Sequence, residues 1–256
     1  MKNVFTFFFL LAGLTAYEQT SFDYQKDFKA ILAKTKDSSS NLYYGKLLPR
    51  FLANDTLISR YETLALLIGF TDQPDYKPYD DIDTEKDIFA LNDNGNYEDA
   101  LAEANTYLAS HPVSLRVLKE KSYSLHQLKK ADSSDYCMDL VHKIMSAMIF
   151  SGNGKTPESP IFALGLADGE RFIENAGMIL GNRGTGENKA GNYMELVEAI
   201  TDEGDHQNYF FIIQHARSKQ GNGDDEKAAQ KKGSKKSKKK DKKTKEEVAD
   251  PAAIKQ

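Results

Sequence analysis

Apolar residues recur at helical spacing along the first two-thirds of the chain. Tyr24, Phe28, Ile31 and Leu32 fall at i, i+4, i+7 and i+8 and predict a first helix. The polar stretch at residues 37–41 (DSSSN) is rich in capping residues and separates it from the next element. Leu47, Leu48 and Phe51 predict a second helix over residues 43–52, with Pro49 marking either a kink or a helix start. Tyr61, Leu64, Ala65 and Ile68 predict a third, ending at Gly69. Residues 73–83 (QPDYKPYDDID), with two prolines and a run of aspartates, read as extended loop.

The clearest pattern lies in residues 95–112 (GNYEDALAEANTYLASHP). Tyr97, Ala100, Leu101, Ala104 and Leu108 form one stripe, and the small Ala100 and Ala104 admit a neighbouring helix at close range. The segment resembles the second helix of a tetratricopeptide repeat: Gly95 and Tyr97 match its turn, Ala100 its small packing position, Leu108 and Pro112 its end. It departs at Ala104 and Tyr107, where an aromatic and an alanine are usual. Residues 84–91 supply the first helix of that pair. Leu115, Leu118, Ser122 and Leu125 predict a following helix, and Cys137, Leu140, Val141, Ile144 and Met148 another, across a polar connection at residues 129–134. Two helix pairs are too few for a free-standing solenoid, so they are expected to bury a face on the C-terminal third.

That third changes period. Residues 151–160 (SGNGKTPESP) are a break, residues 161–166 a short strand candidate, residues 171–180 a short helix and residues 181–191 a glycine-rich loop. Residues 194–200 and 207–213 read as strands joined by a hairpin at residues 202–205 (DEGD). The expected fold is α+β: N-terminal and tetratricopeptide-like helical hairpins packed on a small C-terminal antiparallel sheet.

Charge divides the chain. Among 256 residues, 34 Lys and Arg stand against 38 Asp and Glu. Residues 227–256 hold 12 lysines and 4 acids, net +8, which leaves 22 basic and 34 acidic residues, net −12, in residues 1–226. The lysine run, including Lys235, Lys236, Lys238, Lys239, Lys240, Lys242 and Lys243, buries nothing and repels itself, so it reads as a disordered, solvated tail. A polyanion is the partner such a run would take, with steep weakening by salt. At the other end Lys2, the apolar residues 4–14 and small residues up to Ala16 have the layout of a secretory signal. Its 11-residue core spans roughly 16 Å as a helix, about half a bilayer's hydrocarbon. The expected organisation is a signal at residues 1–16, one α+β domain at 17–220 (helical 17–150, β-rich 155–217) and a tail at 221–256. Export to the periplasm or the cell exterior follows, with no transmembrane segment after signal removal.

A succession of phrases adds a family resemblance. Residues 43–52 (YYGKLLPRFL), Asn54–Asp55–Thr56, Gly69–Phe70, residues 73–79 (QPDYKPY), Ser151–Gly154 and a closing hairpin with Tyr209 and Phe210 occur in order. The chain thereby resembles the exported bacterial proteins catalogued as domain of unknown function 4919, over roughly residues 22–214. The resemblance implies a signal peptide, a Gram-negative, Bacteroides-like source and a compact α+β domain, and it implies no activity.

No catalytic or metal pattern is complete. A phosphate-binding loop ending at Gly154–Lys155–Thr156 needs a glycine where Ile149 stands. Lys189 occupies the third glycine place of a dinucleotide fingerprint begun at Gly184. Ala90 and Ala199 stand at the first ligand position of would-be calcium loops. Five histidines show no zinc spacing. The single Cys137 excludes an internal disulfide and sits on an apolar stripe as a small core residue, while Asp168 and Glu170 read as wet acids at a turn. No cofactor is implied. The remaining candidates are Gln73, Pro74, Tyr76, Pro78 and Tyr79: two prolines hold an extended backbone and two tyrosines offer rigid amphipathic faces. They serve either as an interaction loop or as plugs between the helical and β layers. The functional expectation is a non-enzymatic scaffold of the cell envelope that contacts an unknown protein or peptide. The alternatives are polyanion binding through the tail and an unrecognised hydrolase, which would need a cleft gathering two buried carboxylates or a His–acid pair.

Overall fold

The structure, a computed structural model, describes residues 22–79 and 81–219; residues 1–16, read above as an export signal, and the lysine-rich residues 221–256 lie outside the described residues. Seven helices come first: α1 (Tyr24–Lys36), α2 (Tyr44–Leu52), α3 (Arg60–Phe70), α4 (Asp81–Asp93), α5 (Tyr97–Ser110), α6 (Leu115–Gln127) and α7 (Ala131–Ser151). Then follow β1 (Ile161–Phe162), α8 (Asp168–Asn175), β2 (Ile179–Glu187), β3 (Tyr193–Ile200) and β4 (His206–Ile212). The α+β expectation holds.

α3 is the axis of the helical body. Every residue from Thr63 to Phe70 is buried, the mark of a helix enclosed on all sides. Its start is fixed by a capping box in which Ser59 and Glu62 satisfy each other's backbone N–H. Arg50 of α2 then clamps Asp55 and Glu62 together. α1, α2 and α7 all pack on α3. Pro49 lies inside α2, and the helix runs through it. Its missing N–H leaves Gly45 without an intrahelical donor, which a nine-residue helix sustains because Leu47 and Phe51 are wholly buried beside it.

α4 to α7 run up and down with connections of three or four residues, two of them turned by positive φ at Gly95 and Lys129. Ala100 and Ala104 have no exposed surface, as the small-residue stripe requires. Buried polar groups knit the layers. Asn92 of α4 donates to the Glu120 carbonyl at 3.0 Å and accepts from Ser124 Oγ at 2.7 Å. Ser122 and Ser134 exchange hydrogen bonds between α6 and α7. These four helices do bury a face elsewhere, but α3 takes the larger share, through α7, while the C-terminal region meets α7 through β1 and α6 through α8.

The sheet has four strands in the order β1-β4-β3-β2. β2, β3 and β4 are antiparallel and two-residue β1 joins β4 in parallel, so the sheet is mixed where an antiparallel one was expected. The hairpin turns at Gly204, whose φ is +85°. Several boundaries differ from the sequence reading: the strand candidate at residues 161–166 is a strand only at Ile161–Phe162. α4 begins at Asp81, inside the stretch read as loop, and residues 73–79 form turns rather than an extended run. α8 ends at Asn175, not near residue 180. The glycine-rich residues 181–187 are strand, not loop. An edge strand exposed on both faces has no apolar alternation to betray it, and its geometry comes from hydrogen bonding to β3.

Candidate functional site

The N-terminal helix and the residues after β4 build one wall of a large hollow. Asp23 caps α1 by accepting from Gln25 N and Lys26 N. Tyr24, Phe28 and Leu32 then stand one above another, four residues apart, while Ile31 turns into the core. The Tyr24 and Phe28 rings stack at 4.8 Å. Beyond β4 the chain turns helical over residues 214–219 and drops His215 into the interior. Its imidazole lies flat on Phe162 at 4.6 Å, against Phe28 at 5.5 Å and Tyr76 at 6.2 Å, with Nδ1 3.4 Å from the Tyr24 hydroxyl. Burial pushes this imidazole down to about 3, so it is neutral at any physiological pH. Gln214 accepts from Tyr193 N at 2.7 Å and thereby pins the segment to the start of β3.

Between these elements, the end of α3 and the β2–β3 turn lies a groove of about 700 Å³. Tyr24, Phe28 and Leu32 line it with carbon; Asp72, Asn192 and Ser218 line it with polar groups. Lys29 and Lys219 stand over it, Lys219 Nζ 5.9 Å from the centre of the Tyr76 ring. The volume is that of a ligand site.

The five residues singled out from sequence are not brought to one surface. Gln73 bonds back to the Gly69 carbonyl at the end of α3, and Pro74 is exposed. Tyr76 is 4% exposed, edge-on to Phe70, and its hydroxyl donates to the Leu164 carbonyl. Pro78 is buried beside Gly165. Tyr79 is half-buried near Arg217. Tyr76 and Pro78 thus occupy plug positions between the helical body and the β1–α8 loop. Lys235, Lys236, Lys238, Lys239, Lys240, Lys242 and Lys243 lie outside the described residues.

A second cluster concerns carboxylates. Asp168 and Glu170, read as wet acids, are drawn in because β3 passes under α8. Asp168 accepts from Leu164 N and Gly165 N at 2.8 and 3.0 Å and holds the β1–α8 loop closed. Burial raises it to about 6 despite those bonds. Glu195 of β3, 4% exposed, packs against Gly169, and its Oε2 has no hydrogen-bond partner. Burial first, then Glu170 and Asp168, raise it to about 8, so it carries its proton at neutral pH. Glu170 pairs instead with Arg183 of β2.

These acids do not share a cleft with the imidazole. Asp168 borders a cavity of about 50 Å³, room for a water or so, and neither Asp168 nor Glu195 reaches the groove. His215 touches the groove as an uncharged ring between rings. The groove therefore offers shape, ring faces and hydrogen bonds, and the carboxylate on its described rim, Asp72, is paired with Lys36 at 2.7 Å. Among the described residues no three His, Cys, Asp or Glu side chains gather as a metal set, and no helix is long and apolar enough to cross a membrane. Sequence reading missed His215, Glu195 and the Tyr24–Phe28 wall as site features. The α1 stripe was visible, but it signalled burial, and nothing local distinguishes a buried face from a groove wall.

The molecule is thus an α+β protein with a ligand-sized groove where its first helix meets its sheet. The chain belongs to the family described as Domain of unknown function (DUF4919), which matches residues 29–221. Neither a curated protein nor a solved structure matches it.

Proposed function

We propose that the protein is an exported, non-enzymatic scaffold that binds a peptide segment of another protein in the groove between α1 and residues 214–219. One observation carries the reading: a hollow of about 700 Å³ joins a wall of stacked rings to a polar rim with two lysines. That combination suits a chain with apolar side chains and backbone amides, and an acidic residue opposite Lys29 and Lys219. The buried acids stand apart from the groove, which favours binding over hydrolysis.

The signal-like residues 1–16 support export to the periplasm or cell exterior. A Gram-negative, Bacteroides-like source accords with that. The tetratricopeptide-like reading of α4–α7 draws support from spacing. α6 starts at 115 against 81 for α4, and α7 at 131 against 97 for α5, both offsets of 34 residues. That equals the length of one such repeat.

The test is selection of peptides from a display library on the full chain, followed by binding to Ser218→Trp, which fills the groove from its exposed rim. Loss of binding by at least tenfold is expected; peptides that bind the variant equally well remove the groove from the proposal.

A second reading rests on the +8 charge of residues 227–256, which suits a polyanion. A chain ending at Gly223 should leave a heparin column at much lower salt than the full chain. Equal retention ends that reading.

A further inference from the structure

We propose that two copies of the chain pair through the outer edges of their β2 strands, joining two four-stranded sheets into one. β2 is the last strand of the sheet and pairs only with β3 among the described residues, so one side of its backbone presents unsatisfied N–H and C=O groups. Natural edges are usually shortened, covered, bulged or guarded by charge, lysine above all, or by proline; β2 has a bulge-like irregularity ahead of its regular stretch and two charges of opposite sign within it. The strand has nine residues (ILGNRGTGE), contains neither lysine nor proline, and is exposed from Arg183 to Glu187.

The second copy is singled out by the charge pattern. The ladder to β3 is irregular between Leu180 and Arg183 and regular from Arg183 to Glu187. In that regular stretch Arg183, Thr185 and Glu187 alternate onto one face. Gly184 and Gly186 take the other, where a side chain would meet nothing within 4 Å. An antiparallel two-fold arrangement centred on Thr185 sets Arg183 of each copy opposite Glu187 of the other, twice over, and glycine opposite glycine. Centring on Arg183 would oppose like charges, and centring on Gly184 or Gly186 would leave Arg183 and Glu187 mismatched. Arg183 already pairs with Glu170 of its own chain yet is 58% exposed, and a guanidinium has donors for a second carboxylate.

The test uses the full chain. Thr185→Cys places two thiols on the two-fold axis, where opposed Cα atoms of an antiparallel pair stand about 4.5–5.5 Å apart, within disulfide reach. Cys137, the native cysteine, is buried. Mild oxidation should give a disulfide-linked dimer much faster than in Glu203→Cys, whose cysteine sits in the exposed β3–β4 turn. Sedimentation of the wild type should show a concentration-dependent dimer. Glu187→Arg should weaken it about tenfold, and Arg183→Glu with Glu187→Arg should restore it. A wild type that stays monomeric, a Thr185→Cys variant that crosslinks no faster than the turn control, or a dimer indifferent to Glu187→Arg overturns the proposal. So does a monomer whose residues 183–187 gain amide protection only with an added peptide, which would assign the edge to another chain.

Discussion

At the scale of single residues, two buried titratable groups set opposite pH limits on stability. His215 has a folded value near 3 against an ordinary 6.5, because burial among rings disfavours the cation. The unfolded chain therefore takes up a proton below pH 6.5 that the folded chain refuses. This contribution is whole above pH 6.5 and is lost as pH falls toward 3, at roughly 1.4 kcal/mol per pH unit. His215→Phe, which keeps a ring on Phe162, should shift the midpoint of acid unfolding to lower pH; an unchanged midpoint contradicts the assignment. Glu195 runs the other way. Its folded value near 8 exceeds the ordinary 4.5, so the folded chain keeps a proton that the unfolded one gives up. Stability from this group is whole below pH 4.5 and lost as pH rises through 8. Glu195→Gln should flatten the melting temperature between about pH 5 and 8 relative to wild type, whatever its absolute value. An equal slope in both proteins would show that Glu195 is ionised in the fold.

Elements differ in how far their local chemistry specifies them. α3 carries its start signal, Ser59 with Glu62 three residues on, and an apolar run that no surface helix tolerates. Ser59→Ala should cost about 1 kcal/mol, read as a lower urea midpoint with unchanged slope, because the Glu62 backbone N–H loses its side-chain acceptor while the backbone N–H of residue 59 keeps the Glu62 carboxylate. A neutral result would mean that Arg50 alone holds the α2–α3 corner. α7 was equally legible, since Cys137, Leu140, Val141, Ile144 and Met148 are all buried, whereas in α5 the fold buries Ala100 and Ala104 of the stripe together with Tyr107, which the stripe had left out. β2 was not legible. Gly184 and Gly186 carry no side chain and Arg183, Thr185 and Glu187 face water, so periodicity has nothing to register, and only the ladder to β3 makes the segment a strand. The Arg171–Leu180 helix failed at its end for a related reason: Ile179 and Leu180 continue an apolar pattern that the turn at Gly177, φ +77°, has already cut.

At the scale of the whole molecule, one apolar cluster runs from Ile31 and Phe51 through α3 and α7 to Phe162, Phe211 and Ile212. We expect a single calorimetric transition whose van't Hoff and measured enthalpies agree; two resolved transitions would separate the helices from the sheet. A chain stopped at Gly152 should not reach the helical content of residues 22–152 in the intact protein, since α7 and α1 would expose the surface that Phe162 covers. Taken alone, the order of residues determined the helices α1–α3 and α5–α7, where the DEGD hairpin turns and that the class is α+β. These follow from neighbours within a few positions, whose spacing fixes a face. The tertiary structure alone decided that Tyr76 and Pro78 point inward, that Glu195 keeps its proton, that residues 179–187 are an edge strand and that α1 borders a groove. Each depends on contacts between segments far apart in the chain, and residue order carries no local mark of what a side chain will meet there.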